Sequence, residues 1–236
     1  MLNKCLGAVL QQVDEVIITR EEGAVLPEHA LQHPKIQYVI SPETNIGFGR
    51  NVNFGAQYAS GDFLLILNDD VFLAPNAVSV LLRVMADSAV GLVGHLLRFP
   101  NGRIYHGGKH RLPGGAVGYY HIDLHKLTPT IVTLTEIENV CGASVLFRKK
   151  AFDAIEGFAP SFFMYSEDDD AALRLRQLGW KVMYDPLVEG VHLSQGEAKR
   201  FPHMNAIRKQ SNKQFAQKWE WYFHLNNGKE GLGRFK

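Results

Sequence analysis

Five apolar residues, Phe63-Leu64-Leu65-Ile66-Leu67, run without a break into Asn68-Asp69-Asp70. A short, uninterrupted apolar run suits a strand that is buried on both faces, with helices above and below it. The pattern around it agrees. Leu2, Leu6, Val9, Leu10 and Val13 recur at helical spacing, Val16-Ile17-Ile18 reads as a short strand, and Ile36 to Ile40 as a second. A helix is expected from Gly47-Phe48-Gly49 to about Ser60, closed by Gly61. After Pro75, Val78, Leu81, Leu82 and Met85 are expected on one helical face, before a strand from Val90 to Leu97. Strands are next expected at Val140 to Phe147, Trp180 to Tyr184 and Val188 to His192, with helices from about Lys149 to Glu156 and from Ser166 to Leu178. Alternation of this kind predicts an α/β chain with a mostly parallel, twisted sheet and flanking helices. Pro100 to Pro129 has no clear period. With neither repeat nor linker, the chain reads as a single domain.

Three stretches carry the chemistry. Asp69 and Asp70 stand at the carboxyl end of a buried strand, where open α/β sheets place their ligands. Carboxylates there suit Mg²⁺ or Mn²⁺, held by one or two protein groups plus substrate phosphates. A plain turn is an equal reading, since Asn and Asp favour turns. The second stretch is Ser166-Glu167-Asp168-Asp169-Asp170. Ser166 as a cap, Asp169 at capping-box spacing and acids in a first turn need no function. Phasing nevertheless puts Asp168 on the stripe of Ala171, Leu175 and Leu178, so it alone of the four acids is expected to point inward, as a general base would. Glu167, Asp170 and Arg174 share another face, where an acid–Arg contact is expected. The third stretch, Asn45-Ile46-Gly47-Phe48-Gly49-Arg50-Asn51-Val52-Asn53, offers glycines and a helix start to an anion. His192 ends a strand; alone, a histidine there is more often structural.

Taken in order, Asn45-x-Gly47-Phe48-Gly49, Asn53-x-Gly55, Gly61-Asp62 and Asn68-Asp69-Asp70-Val71 resemble family 2 glycosyltransferases of the rhamnosyltransferase-like kind. Cys141-Gly142-Ala143, Gly157-Phe158, Phe163-x-Tyr165-x-Glu167-Asp168-x-Asp170, Arg174, Gly179-Trp180, Pro186 and His192 continue the match. The resemblance implies a GT-A type fold, with a nucleotide-sugar half (1–98), an acceptor half (99–200) and a basic carboxyl-terminal helix (201–236). It implies that Asp70, with Asp69 and His192, holds Mn²⁺ or Mg²⁺, and that Asp168 is the catalytic base. Asn45, Gly47, Gly49, Arg50, Asn53 and Asn68 would bind the nucleotide sugar; Cys141, Gly142, Ala143 and Glu167 would lie on the acceptor side. The implied reaction is inverting transfer from a nucleotide-diphosphate sugar to a glycan or lipid-linked hydroxyl, in surface-polysaccharide synthesis. The alternative is a sugar- or nucleotide-binding subunit of the same fold that has lost turnover. The match departs from the family at the start: Met1 falls after the family's first strand, and Thr19-Arg20-Glu21-Glu22-Gly23 replaces an Asp-rich strand end.

Charge narrows the partners. With 25 Lys+Arg against 24 Asp+Glu, no overall field recruits nucleic acid. Two cysteines, Cys5 and Cys141, make no disulfide framework and suit a cytoplasmic protein. His106-x-x-x-His110 and His121-x-x-x-His125 have ligand-like spacing without a helix beneath them, so zinc is disfavoured. Met204, Ile207, Phe215, Trp219 and Tyr222 make a helical stripe flanked by Arg208, Lys209, Lys213 and Lys218. Packing on the domain is the leading reading of that helix, and a peripheral contact with the inner face of a membrane is the second.

Overall fold

The computed structural model describes residues 1–20, 23, 33–194 and 203–225. The elements, in order, are α1 (Leu2–Val9), β1 (Val16–Arg20), β2 (Ile36–Ile40), α2 (Phe48–Ala56), β3 (Phe63–Leu67), β4 (Val71–Leu73) and α3 (Ala77–Val84). They continue through β5 (Val90–Arg98), β6 (Ile104–His106), β7 (Lys109–Arg111), β8 (Tyr119–His121), β9 (Thr135–Glu136) and β10 (Ser144–Arg148). α4 (Lys149–Ala154), α5 (Glu167–Gln177), β11 (Lys181–His192) and α6 (Met204–Leu225) complete the described chain.

The architecture is α/β, as expected, but the sheet is mixed rather than mostly parallel. Its central order is β3-β10-β5-β11-β4. β10 lies antiparallel to both neighbours, β11 is parallel to β5, and β4 is antiparallel to β11. The βαβ alternation along the chain does not reveal that β10 inserts between β3 and β5. β1 and β2 form a separate parallel pair. A cleft of about 1600 Å³ is lined by every residue of β1 and of β3, so no described strand joins those two edges.

Burial on both sheet faces explains the uninterrupted apolar runs. Leu64 and Ile66 face a core containing Phe147, Phe158, Ala171 and Leu175. Leu65 and Leu67 pack on the opposite core, with Val9, Val71, Leu81 and Leu146. A third cluster docks α6 through Phe215, Trp219, Tyr222 and Phe223 onto Phe162 and Leu173. Each such aromatic removed from water contributes roughly 1.5–3 kcal/mol, which supports the packed reading of this helix. Among the described residues, no helix is long and apolar enough to cross a membrane.

Several local expectations change. α2 ends at Ala56, so Gly61 does not close it. Leu82 is exposed, off the face made by Val78, Leu81 and Met85. The two strands expected between Trp180 and His192 are one strand, β11, whose register against β5 shifts between Asp185 and Glu189. The Pro100–Pro129 stretch contains β6, β7 and β8, each of three residues and too short to show a period. In the expected strand from Val140, only Ser144 onward pairs as β10. Glu21 and Glu22 of the altered strand end lie outside the described residues.

Candidate active site

β3 delivers Asn68, Asp69 and Asp70 to the cleft, and the chain reverses at once into β4. β4 pairs with the end of β11, so that Val71 stands opposite His192. The Leu193 N–H donates to the Asp70 carbonyl at 3.0 Å. This register is why two residues more than a hundred positions apart meet: His192 Nε2 lies 3.1 Å from Asp70 Oδ1. Burial works to raise the Asp70 carboxyl, but the His192 hydrogen bond and charge outweigh it and hold the group below the usual range. His192 Nδ1 is buried without a hydrogen-bond partner.

An oxygen and an imidazole nitrogen held this close fit a borderline divalent cation such as Mn²⁺ better than a soft one. Asp69 lines the same cleft. No group of three His, Cys, Asp or Glu residues among the described residues could hold a metal unaided. Asp70 and His192 are two donors that the described residues offer a cation here, with Asp69 in the same cleft. His106 and His121 form no such group either: their rings stack edge-to-face at 5.0 Å, and burial pushes both below the ordinary histidine value.

Across the cleft, the chain enters α5 through Tyr165 and Ser166, both in left-handed backbone (φ 69° and 65°). Ser166 makes no side-chain cap; its hydroxyl meets Asn212 of α6 instead, and the capping box is not formed. The acids of the first turn are arranged differently from the expectation of one inward acid. Asp170 is fully buried and binds Arg174 at 2.7 Å, as the i,i+4 spacing implied, and also Lys218 and the Trp219 indole. Glu167 is buried too, only 7% exposed. The inward stripe also fails at its end, where Leu178 is exposed. Helical phasing missed this because loops and α6 cover the faces that solvent would otherwise take.

Asp168 and Asp169 reach Lys109 of β7, whose Nζ lies 2.8 Å from Asp168 Oδ2 and 2.6 Å from Asp169 Oδ1. The Gly142 N–H donates to the same Asp168 oxygen at 2.8 Å. A Cβ on Gly142 would sit 3.0 Å from the Asp168 Cβ, so a side chain there would press Asp168 out of place. Burial alone would raise Asp168, but the Lys109 charge and these hydrogen bonds reverse the sign and keep it low. Burial and the neighbouring Asp168 push Glu167 up to about 8, so it is protonated at neutral pH.

The cleft thus gathers Asn68, Asp69, Asp70 and His192 on one wall, with Cys141, Gly142, Ala143, Glu167 and Asp168 on another. It does not gather Asn45, Gly47, Gly49, Arg50 or Asn53; Phe48, Asn51 and Val52 form that wall instead. The glycine motif is a packing junction. At Gly47 (φ 86°), a Cβ would fall 2.2 Å from the Phe163 carbonyl oxygen, and at Gly49 it would meet the Phe158 ring stem. The Asn53 amide is used by the Phe158 backbone, accepting at 2.9 Å and donating at 2.8 Å. Lys109 was not visible from sequence, since a single lysine after two glycines in an aperiodic stretch carries no signal.

The profile of Glycosyl transferase family 2 matches residues 1–156. An N-acetylglucosaminyl-diphospho-decaprenol L-rhamnosyltransferase of Mycobacterium tuberculosis is 27% identical over 210 residues, which cover 78% of this chain and 68% of that protein. Among solved structures, GalNAc-T7 with UDP, GalNAc and Mn²⁺ superposes with a TM-score of 0.67 at 13% identity, over 100% of this chain and 49% of that one. The mannosyltransferase PcManGT from Pyrobaculum calidifontis, with GDP-Man and Mn²⁺, gives 0.58 at 15%, over 98% and 72%. The chain spans about half of the first of these structures, and both likenesses are of fold, the GT-A type. With two thirds of its length matched by the profile, the chain belongs to glycosyl transferase family 2.

Proposed function

We propose that this chain is a metal-dependent, inverting glycosyltransferase that moves a sugar from a nucleotide-diphosphate donor to a hydroxyl acceptor in surface-polysaccharide synthesis. One observation carries the reading: the Asp168 carboxyl, held low by Lys109, lines the same cleft as the Asp70–His192 pair. The acceptor oxygen forms a bond to the anomeric carbon as the bond to the diphosphate oxygen breaks. Asp168 takes the hydroxyl proton, and the diphosphate leaves with the electron pair. In this reading the acceptor attacks opposite the departing diphosphate in a single displacement, which inverts the anomeric centre. Asp70 and His192, with Asp69 nearby, would hold the cation; when bound, it neutralises charge on the leaving diphosphate. The names of the mycobacterial relative and the two structures support a lipid-linked acceptor and a nucleotide donor.

The second reading, a binding subunit without turnover, is favoured by the open cleft between β1 and β3. Calorimetry with UDP, GDP and dTDP, with and without Mn²⁺, tests the shared part of both. Binding is expected to be at least tenfold tighter with Mn²⁺ and to lose that gain in Asp70→Ala. Equal affinity with and without metal would refute the cation assignment.

A further inference from the structure

Lys109 follows Gly107 and Gly108, and the second glycine is required: at φ 99°, a Cβ would lie 2.6 Å from Ile137. The backbone is then pinned, with the Lys109 N–H donating to the Asn139 carbonyl at 3.2 Å and β7 pairing to β8 opposite His121. The Lys109 side chain is 6% exposed, and its ammonium is held between Asp168 and Asp169. The Asn139 amide also donates to Asp169 Oδ1. A buried amine is tolerated only when paired, and here it is paired with two consecutive carboxyls of α5, next to a third, Glu167.

We propose that Lys109 is the positioning residue of the base: it fixes which of the three adjacent carboxyls is ionised and which Asp168 oxygen remains for the acceptor hydroxyl. The inference rests on the reading of Asp168 as the base. Asp168 Oδ2 is taken by Lys109 and the Gly142 N–H, whereas Oδ1 accepts from the Asp169 N–H at 2.9 Å and keeps a lone pair. The groups facing Asp168 are Lys109 of β7, His121 of β8, Cys141 ahead of β10, and Glu167 and Asp169 on its own helix. Burial keeps His121 neutral, at about 4, and pushes the Cys141 thiol up to about 12. Lys109 is therefore the one positive charge in that set. Glu167, with Oε2 buried and unpartnered, keeps its proton and leaves the charge to Asp168.

Carboxyl-carbon NMR titration of the full chain, assigned with Asp168→Asn, Asp169→Asn and Glu167→Gln, tests this without requiring turnover. In the wild type, Asp168 is expected to titrate first, before Asp169 and Glu167; a reversed order overturns the proposal. Lys109→Met is expected to raise the Asp168 midpoint by one unit or more, and Lys109→Arg to restore most of it. An unmoved midpoint in folded Lys109→Met overturns the proposal as well. If that variant does not fold, Lys109→Gln takes its place with the same expected shift, and the wild-type order still decides for or against. In transfer assays, the acidic limb of the kcat/KM profile should move with the midpoint while donor affinity stays. Absent transfer with the expected titration order would refute the transferase reading and leave the Lys109 electrostatics standing, so the two failures are distinguishable.

Discussion

Replacing Glu167 by Gln should make the protein more resistant to alkaline destabilisation. Glu167 Oε2 is buried without a partner, and burial followed by the Asp168 charge moves its pKa from 4.5 to about 8. The native state therefore binds this proton more tightly than the unfolded chain does. Between those two values the unfolded chain has released the proton and the native state retains it, so stability falls as pH rises. The contribution is fully present below the unfolded value and is gone above the folded one. A difference of about 3.5 units at about 1.36 kcal/mol each sets a ceiling of about 5 kcal/mol. Asp169, raised to about 6 by burial, adds a smaller slope of the same sign to both proteins. Gln has no proton to lose, although its amide carries a pH-independent cost in the same pocket. The diagnostic quantity is therefore the slope. Urea unfolding of wild type and Glu167→Gln at half-unit steps from pH 5 to 8.5 should show the variant gaining about 2 kcal/mol or more on the wild type. Parallel curves would refute the assignment of a buried, protonated Glu167.

Asp170 and Lys218 separate a buried charge from an exposed partner. Asp170→Asn should cost about 3–5 kcal/mol and loosen α6, because the amide removes the negative charge that pairs Arg174 and leaves one acceptor oxygen where Arg174 and the Trp219 indole use two; Trp fluorescence during denaturation would report it. Lys218→Met should cost less than about 1 kcal/mol in the same assay, since its side chain is 41% exposed.

The parts legible in sequence were those with a period or a local rule. Phe63 to Leu67 showed a strand with two buried faces, and Asp170 with Arg174 showed an i,i+4 pair. Ordered short motifs were enough for Asp70, His192 and Asp168 to be placed around one cleft. Pairing across distance was not legible. The insertion of β10 between β3 and β5, and the register that brings His192 to Asp70, are tertiary facts without a local signature. The Gly47–Asn53 stretch was ambiguous for a related reason: glycines that admit a close backbone look the same whether the neighbour is a phosphate or, as at Gly47, the Phe163 carbonyl. Lys109 was invisible because its role exists only after β7, Asn139 and α5 have met.

The transferase reading depends most on Asp168 acting as a base within a donor-binding cleft. The direct measurement is Asp168→Asn compared with wild type for donor affinity and for sugar transfer, using a panel of nucleotide sugars with Mn²⁺ and a lipid-diphosphate acceptor. The substitution preserves shape and removes the proton acceptor, so transfer should fall by about 10²–10⁴ while donor affinity stays within about twofold. Near-normal transfer by Asp168→Asn would contradict the assignment of the base and the mechanism built on it.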